Sequence, residues 1–212
     1  MPARTESARP RVRMAGPDRH EQLIGVGRSV FAERGFAAAT IEEIAERAQV
    51  SKPVVYEHFG GKDGLYAEII GREVGNLIER ITGALDSESP RHAVEQAAEA
   101  FLGYIEDHRE GFTILVRDAP VGGSPGSMSG VIADIAARVE GLLAKELGSR
   151  GFDRSIAPVM ARALVGMVAM TGQWWLDVGR PSRKVVAAQL VNLAWNGLKN
   201  LDKDPVRKGK RT

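Results

Sequence analysis

The chain has 212 residues, 43% hydrophobic and 26% charged, which suits a globular protein of one or two small domains with a real core. It has no cysteine, which excludes a disulfide framework and thiolate chemistry. The net charge of +2 conceals an uneven layout: residues 1–19 hold five Arg against two acids and residues 199–212 six basic against two acidic side chains, while residues 20–64 hold five basic against seven acidic.

In chain order, residues 1–17 contain three Pro and four Arg with no apolar period and read as a disordered basic arm. A first helix is predicted over about 18–34, with Leu23, Val26, Gly27, Val30 and Phe31 on one stripe and Gly35 as its stop. Thr40 and Glu43 form a capping-box pattern for a second helix over 41–48, whose apolar face is Ile41, Ile44, Ala45 and Ala48. Gln49 and Val50 make a break. Ser51 can cap a third helix over 51–58, with Pro53 in its first turn where a missing N–H costs nothing. Gly60 and Gly61 supply the next turn. Two short helices around so tight a turn form a helix-turn-helix, whose second helix fits the DNA major groove.

A long fourth helix is predicted from about 62 to 85, apolar along Ile70, Val74, Leu77, Ile78, Ile81 and Leu85, and able to tie the first part of the chain to the rest. The SESP stretch at 87–90 breaks it. Further helices follow at about 90–107, 110–118, 128–148, 154–177 and 182–201, with a mobile loop expected at 119–127. No segment alternates with period two. The fold class is therefore all-α with about nine helices, and the expected organisation is an arm (1–17), a helix-turn-helix domain (18–64), a second helical domain (65–201) and a basic tail (202–212).

The stretch VFAERGFAAAT at 30–40, continuing through IEEIAERAQVSKPVVYEHFGGKDGLYAEII, resembles the N-terminal domain of the tetracycline-repressor (TetR) family of bacterial transcription regulators. The resemblance implies a homodimeric repressor that leaves a double-stranded DNA operator when a small lipophilic effector binds the second domain. It places Lys52, Pro53, Val54, Tyr56 and His58 toward DNA. Lys52 can donate to guanine or phosphate, Val54 can touch only a thymine methyl or exclude water, and Tyr56 and His58 can hold phosphates. Ser51 belongs to the same turn. Lys62 and the start of the fourth helix could grip one phosphate together, and Thr40 could add its hydroxyl. Each has a plainer alternative: Thr40 as a cap, Tyr56 as packing, His58 as a helix end, Lys52 as a solvated charge. The family's basic or polar residue early in the second helix is absent, since Ile41, Glu42 and Glu43 stand there. The arm, through Arg9, Arg11 and Arg13, is expected to supply phosphate or minor-groove contacts instead.

The same resemblance puts an effector pocket at Phe101, Tyr104, Phe112, Leu115, Met128, Met170 and Trp174, and a homodimer surface on the last two helices. Gly166, Gly172 and Gly197 could let helix backbones approach closely there. No metal, cofactor or catalytic site is expected. His20, His58, His92 and His108 are scattered, no G-x-S-x-G occurs, and GGK at 60–62 lacks the phosphate-loop pattern. Without a secretory signal or an apolar run of ~18 residues, a cytoplasmic protein with no membrane partner is expected. The rival to a repressor is a small-molecule carrier without operator binding, and the sequence does not separate repressor from activator.

Overall fold

A computed structural model describes residues 16–85, 89–117 and 128–202. Among them all regular structure is helical: α1 (Gly16–Arg34), α2 (Ile41–Arg47), α3 (Lys52–Phe59), α4 (Lys62–Leu85), α5 (Pro90–Asp107), α6 (Arg109–Arg117), α7 (Met128–Ser149), a 3₁₀ turn (Arg154–Ile156), α8 (Ala157–Val178) and α9 (Arg183–Lys199). The all-α expectation holds. The basic arm up to residue 15, the glycine-rich stretch 119–127 and residues 203–212 of the tail lie outside the described residues.

Boundaries shift where a backbone rule intervenes. The eighth helix starts at Ala157 rather than 154, because the Asp153 carboxylate accepts from the Ser155 N–H at 2.8 Å and holds a 3₁₀ turn ahead of Pro158. Between α2 and α3, Gln49 adopts φ 55°, uncommon for a residue with a Cβ. Its N–H reaches the Glu46 carbonyl at 3.0 Å and that of Val50 the Ala45 carbonyl at 2.9 Å, so the end of α2 is satisfied. Gly60 ends α3 at φ 71°, where its N–H donates to Tyr56 at 2.8 Å.

Apolar side chains sort into two clusters. The first joins α1, α2, α3 and the start of α4 through Leu23, Phe31, Ile44, Val55, Leu65 and Ile69, and takes Ile114 from α6. We call these elements the head. The second, in the body, unites the rest of α4 with α5 to α9 through Leu77, Ile81, Phe101, Phe112, Ile135 and Trp175. α4 serves both. Its buried line runs every fourth residue, Leu65, Ile69, Glu73, Leu77, Ile81 and Leu85, while Ile70 touches both clusters. α1 approaches α4 so closely at Gly27 that a Cβ there would meet Leu65 at 2.9 Å.

α8 inverts the usual size order. Ala157, Ala161, Ala169 and Gly172 face inward with Trp175, while Val159, Met170, Trp174 and Val178 face out. A Cβ on Gly172 would collide with the Phe101 ring, so α8 lies against α5 only because that residue is glycine. Gly166 and Gly197 face open space and mediate no close approach within the protomer. By length and composition alone, Arg154–Val178 is apolar enough to cross a membrane, and 22% of its most apolar 18-residue window is buried.

Candidate functional site

The turn at Gln49 sets α2 and α3 so that Ile41, Ile44, Ala45, Ala48 and Val55 are buried, with Val50, Val54 and Phe59 half-buried against them. Thr40, Ser51, Lys52, Pro53 and Tyr56 stand exposed. Tyr56, at 53% exposure, is no packing residue. Thr40 caps α2, its hydroxyl accepting from the Glu43 N–H at 3.2 Å. The Glu43 carboxylate makes a different use of itself from the expected capping box: it receives Arg47 at 2.6 Å and Arg34 at 3.4 Å. The expected side-chain cap by Ser51 is not formed. A cap bonds the second or third N–H of the helix. The second is missing at Pro53, and the third, on Val54, already donates to the Ser51 carbonyl at 3.0 Å.

Every cationic side chain between residues 28 and 62 has a carboxylate or carbonyl partner. Arg28 faces Glu73. Arg47 also binds Glu33 through two N–H groups at 2.9 and 2.7 Å. Lys52, on the first turn of α3, is ion-paired with Glu42 on the first turn of α2. That bond holds the Glu42 carboxyl below the usual carboxylate range. Lys62 donates to the carbonyls of Phe36 at 2.9 Å and Ala39 at 3.1 Å and sits 4.5 Å from the centre of the Phe36 ring. It fastens the α1–α2 connection to α4. His58 is half-buried, its ring 5.6 Å from that of His20, which bonds Glu68 of α4 at 2.8 Å. Lys62 and His58 are thus built into the head rather than held out from it, because the α1–α2 loop and His20 reach them first.

Within the body lies a cavity of about 810 Å³, a size typical of ligand sites. Apolar groups such as Leu77, Phe101, Ile135, Leu143, Val168 and Trp195 wall it. Its polar lining comes from the ends of α7 and α9: Lys145, Glu146, Ser149, Arg150 and Lys199. Arg150 ties these ends together by donating to the carbonyls of Leu198 and Lys199 at 3.1 and 3.2 Å. Of the expected pocket residues whose side chains are described, only Phe101 lines this cavity. Tyr104, Phe112 and Leu115 are fully buried core beside it. Met170 and Trp174, 65% and 51% exposed, face outward, because α8 turns its small residues in. Met128 opens α7, and its side chain lies outside the described residues.

Sequence reading missed Glu73. Its carboxyl is 2% exposed, the single buried charged side chain among the described residues. Tyr104 donates to it at 2.7 Å, Arg28 Nε of α1 lies 2.8 Å away, and His108 Nδ1 at 3.9 Å. The Arg28 Nε–H is not aimed at the oxygen, so that contact is charge attraction without a hydrogen bond. Burial, and then the bond to Glu73, pushes the Tyr104 hydroxyl well above its ordinary pKa, so it stays a donor. A Cβ on Gly111 of α6 would fall on the carboxyl. One group thereby holds α1, α4, α5 and α6 together. The signal was available: position 73 falls on the four-residue line of Leu65, Ile69, Leu77 and Ile81. Among the described residues no cluster of His, Asp and Glu could hold a metal.

Comparison with known proteins matches both parts of the chain. The family profile "Bacterial regulatory proteins, tetR family" matches residues 23–69, and "Tetracyclin repressor-like, C-terminal domain" matches 90–197. The chain is 31% identical over 200 residues to the HTH-type transcriptional activator FasR of Mycolicibacterium smegmatis, covering 89% of this chain and 87% of that one. A TetR-like transcriptional regulator from Rhodococcus sp. RHA1 superposes with a TM-score of 0.72 at 30% identity, over 89% of this chain and 100% of the other. The fatty acid degradation regulator FadR of Bacillus halodurans shares the fold, with a TM-score of 0.71 at 14% identity, over 88% of this chain and 99% of its own.

Proposed function

The chain belongs to the TetR family of DNA-binding transcriptional regulators, and from that premise we propose that it is a homodimeric repressor displaced from a palindromic operator by an aliphatic amphiphile with an anionic head. The cavity carries this reading. Its apolar walls suit a hydrocarbon chain, and Lys145, Arg150 and Lys199 outweigh Glu146 at its polar end. A fatty acid has that chemistry, and one protein of the same fold is a fatty acid degradation regulator. In this reading residues 18–64 read the operator and 65–201 bind effector and partner.

Two copies of α3 related by a twofold axis would read half-sites roughly 34–36 Å apart or a multiple of that. Thr40, Ser51, Lys52, Pro53, Val54 and Tyr56 form the DNA surface. Lys62, with one N–H beyond its two carbonyl bonds, and His58 contribute phosphate contacts from its edge. Val159, Met170, Trp174 and Val178 of α8 with Val185 and Leu193 of α9 are exposed apolar side chains suited to a second copy. The apolar character of α8 is then that of a subunit interface.

Selecting bound duplexes from a random pool with the full chain is expected to return a palindrome. Palmitate should then release it, and uncharged hexadecanol should do so poorly. A palindrome that stays bound at saturating palmitate would remove the proposed effector class while leaving the regulator in place.

A further inference from the structure

The head of a DNA-binding protein is expected to hold cations ready for phosphate, and this one does not. Arg34 and Arg47 are bonded to Glu33 and Glu43, and Lys62 is bonded to two carbonyls. Among the described residues of α2, α3 and their turns, Lys52 is the cation most open to solvent and held by one side chain alone. It is 52% exposed and Glu42 is 61% exposed. The pair joins the first turns of both helices, on the surface assigned above to DNA. Ile41, Glu42 and Glu43 stand early in the second helix, where the resemblance leads one to expect a basic or polar residue.

Resting on that assignment, we infer that Glu42 is a specificity-determining residue: it neutralises Lys52 against arbitrary duplex and yields it only where the operator supplies a better acceptor. An exposed ion pair is weak, so it can be exchanged on DNA. While it persists, Lys52 displaces no counterion from a phosphate and adds nothing to sequence-independent binding. On an operator, Lys52 can turn to guanine O6 or N7, and the freed Glu42 can accept only from an amino group such as cytosine N4. Elsewhere the freed carboxylate faces phosphates and repels them. The acidic balance of residues 20–64 then lowers background binding rather than detracting from function.

The test uses the full-length dimer, a selected operator and random duplex over a salt series. Glu42→Gln should raise affinity for random duplex roughly 3- to 10-fold and steepen log K against log salt by about 0.9, one phosphate contact. Operator affinity should rise less, so the specificity ratio falls. In a Lys52→Gln background the same exchange should have little effect. Unchanged random-duplex binding by Glu42→Gln, or an equal gain with and without Lys52, overturns the inference, since Glu42 would then be inert or a plain repulsive charge. Wild-type protein with no duplex preference would instead defeat the DNA-binding reading itself. Both side chains are exposed, and circular dichroism checks that the variants fold.

Discussion

The two halves of α4 do opposite work. The first half closes a small core in which Leu65 and Ile69 are fully buried and the neighbouring Arg47, Lys52 and Lys62 are bonded to carboxylates or carbonyls. The second half, at Leu77, Ile81 and Leu85, borders a cavity of about 810 Å³. Beyond it, α8 and α9 expose Met170, Trp174 and Leu193. A surface that reads a rigid duplex benefits from a fixed shape, and the head core is closed, with Ile114 of α6 filling it from the body. The body instead leaves a cavity within and apolar side chains on its flank, the features on which the proposed effector and second copy rest.

The sharpest way to break this contrast is to truncate leucine on each side. Leu65→Ala should cost about 2–5 kcal/mol in denaturant unfolding, because a filled core cannot collapse around the loss. Leu143→Ala, on the half-buried cavity wall, should cost under about 1 kcal/mol, since its neighbours already border open space. Equal costs would show the body to be as closely packed as the head. Next in size, Met170→Glu combined with Trp174→Lys should weaken self-association by roughly tenfold or more, about 1.4 kcal/mol. Sedimentation would show it as monomer at concentrations where wild type is dimeric. An unmoved equilibrium would locate the subunit contact elsewhere.

The smallest effect concerns the head's outer clasp. The Glu68 carboxyl lies below its ordinary range, foremost through its bond to His20 and then through Arg72. A depressed carboxyl pKa stabilises the fold above the ordinary glutamate range, and that gain is lost as pH falls through the folded value. Glu68→Gln should therefore melt slightly below wild type near pH 7, with the two converging in acid. A gap that persisted at pH 3 would show that the side chain's charge is not what matters.

The helices and the head's layout were legible because spacing and caps state them directly: Thr40 does cap, Val55 does turn inward, Gly60 does take a positive φ. The pocket was not. Aromatic and Met side chains were chosen by type, and type does not give rotation. α8 is apolar on more than one face, and Gly172 packing on Phe101 decides which one turns in. Met170 and Trp174 followed from that to the outside. Lys62 and Lys52 were legible as cations, but their acceptors lie 23 to 26 and 10 residues away in sequence, beyond local reading.

Glu73 has a mechanical implication. Any motion that parts α1 from α5 and α6 must pull Arg28 or Tyr104 off an interior charge, and a lone charge in such a place is severely unfavourable. The joint between the two cores should therefore resist opening, since parting it strips partners from that interior carboxyl.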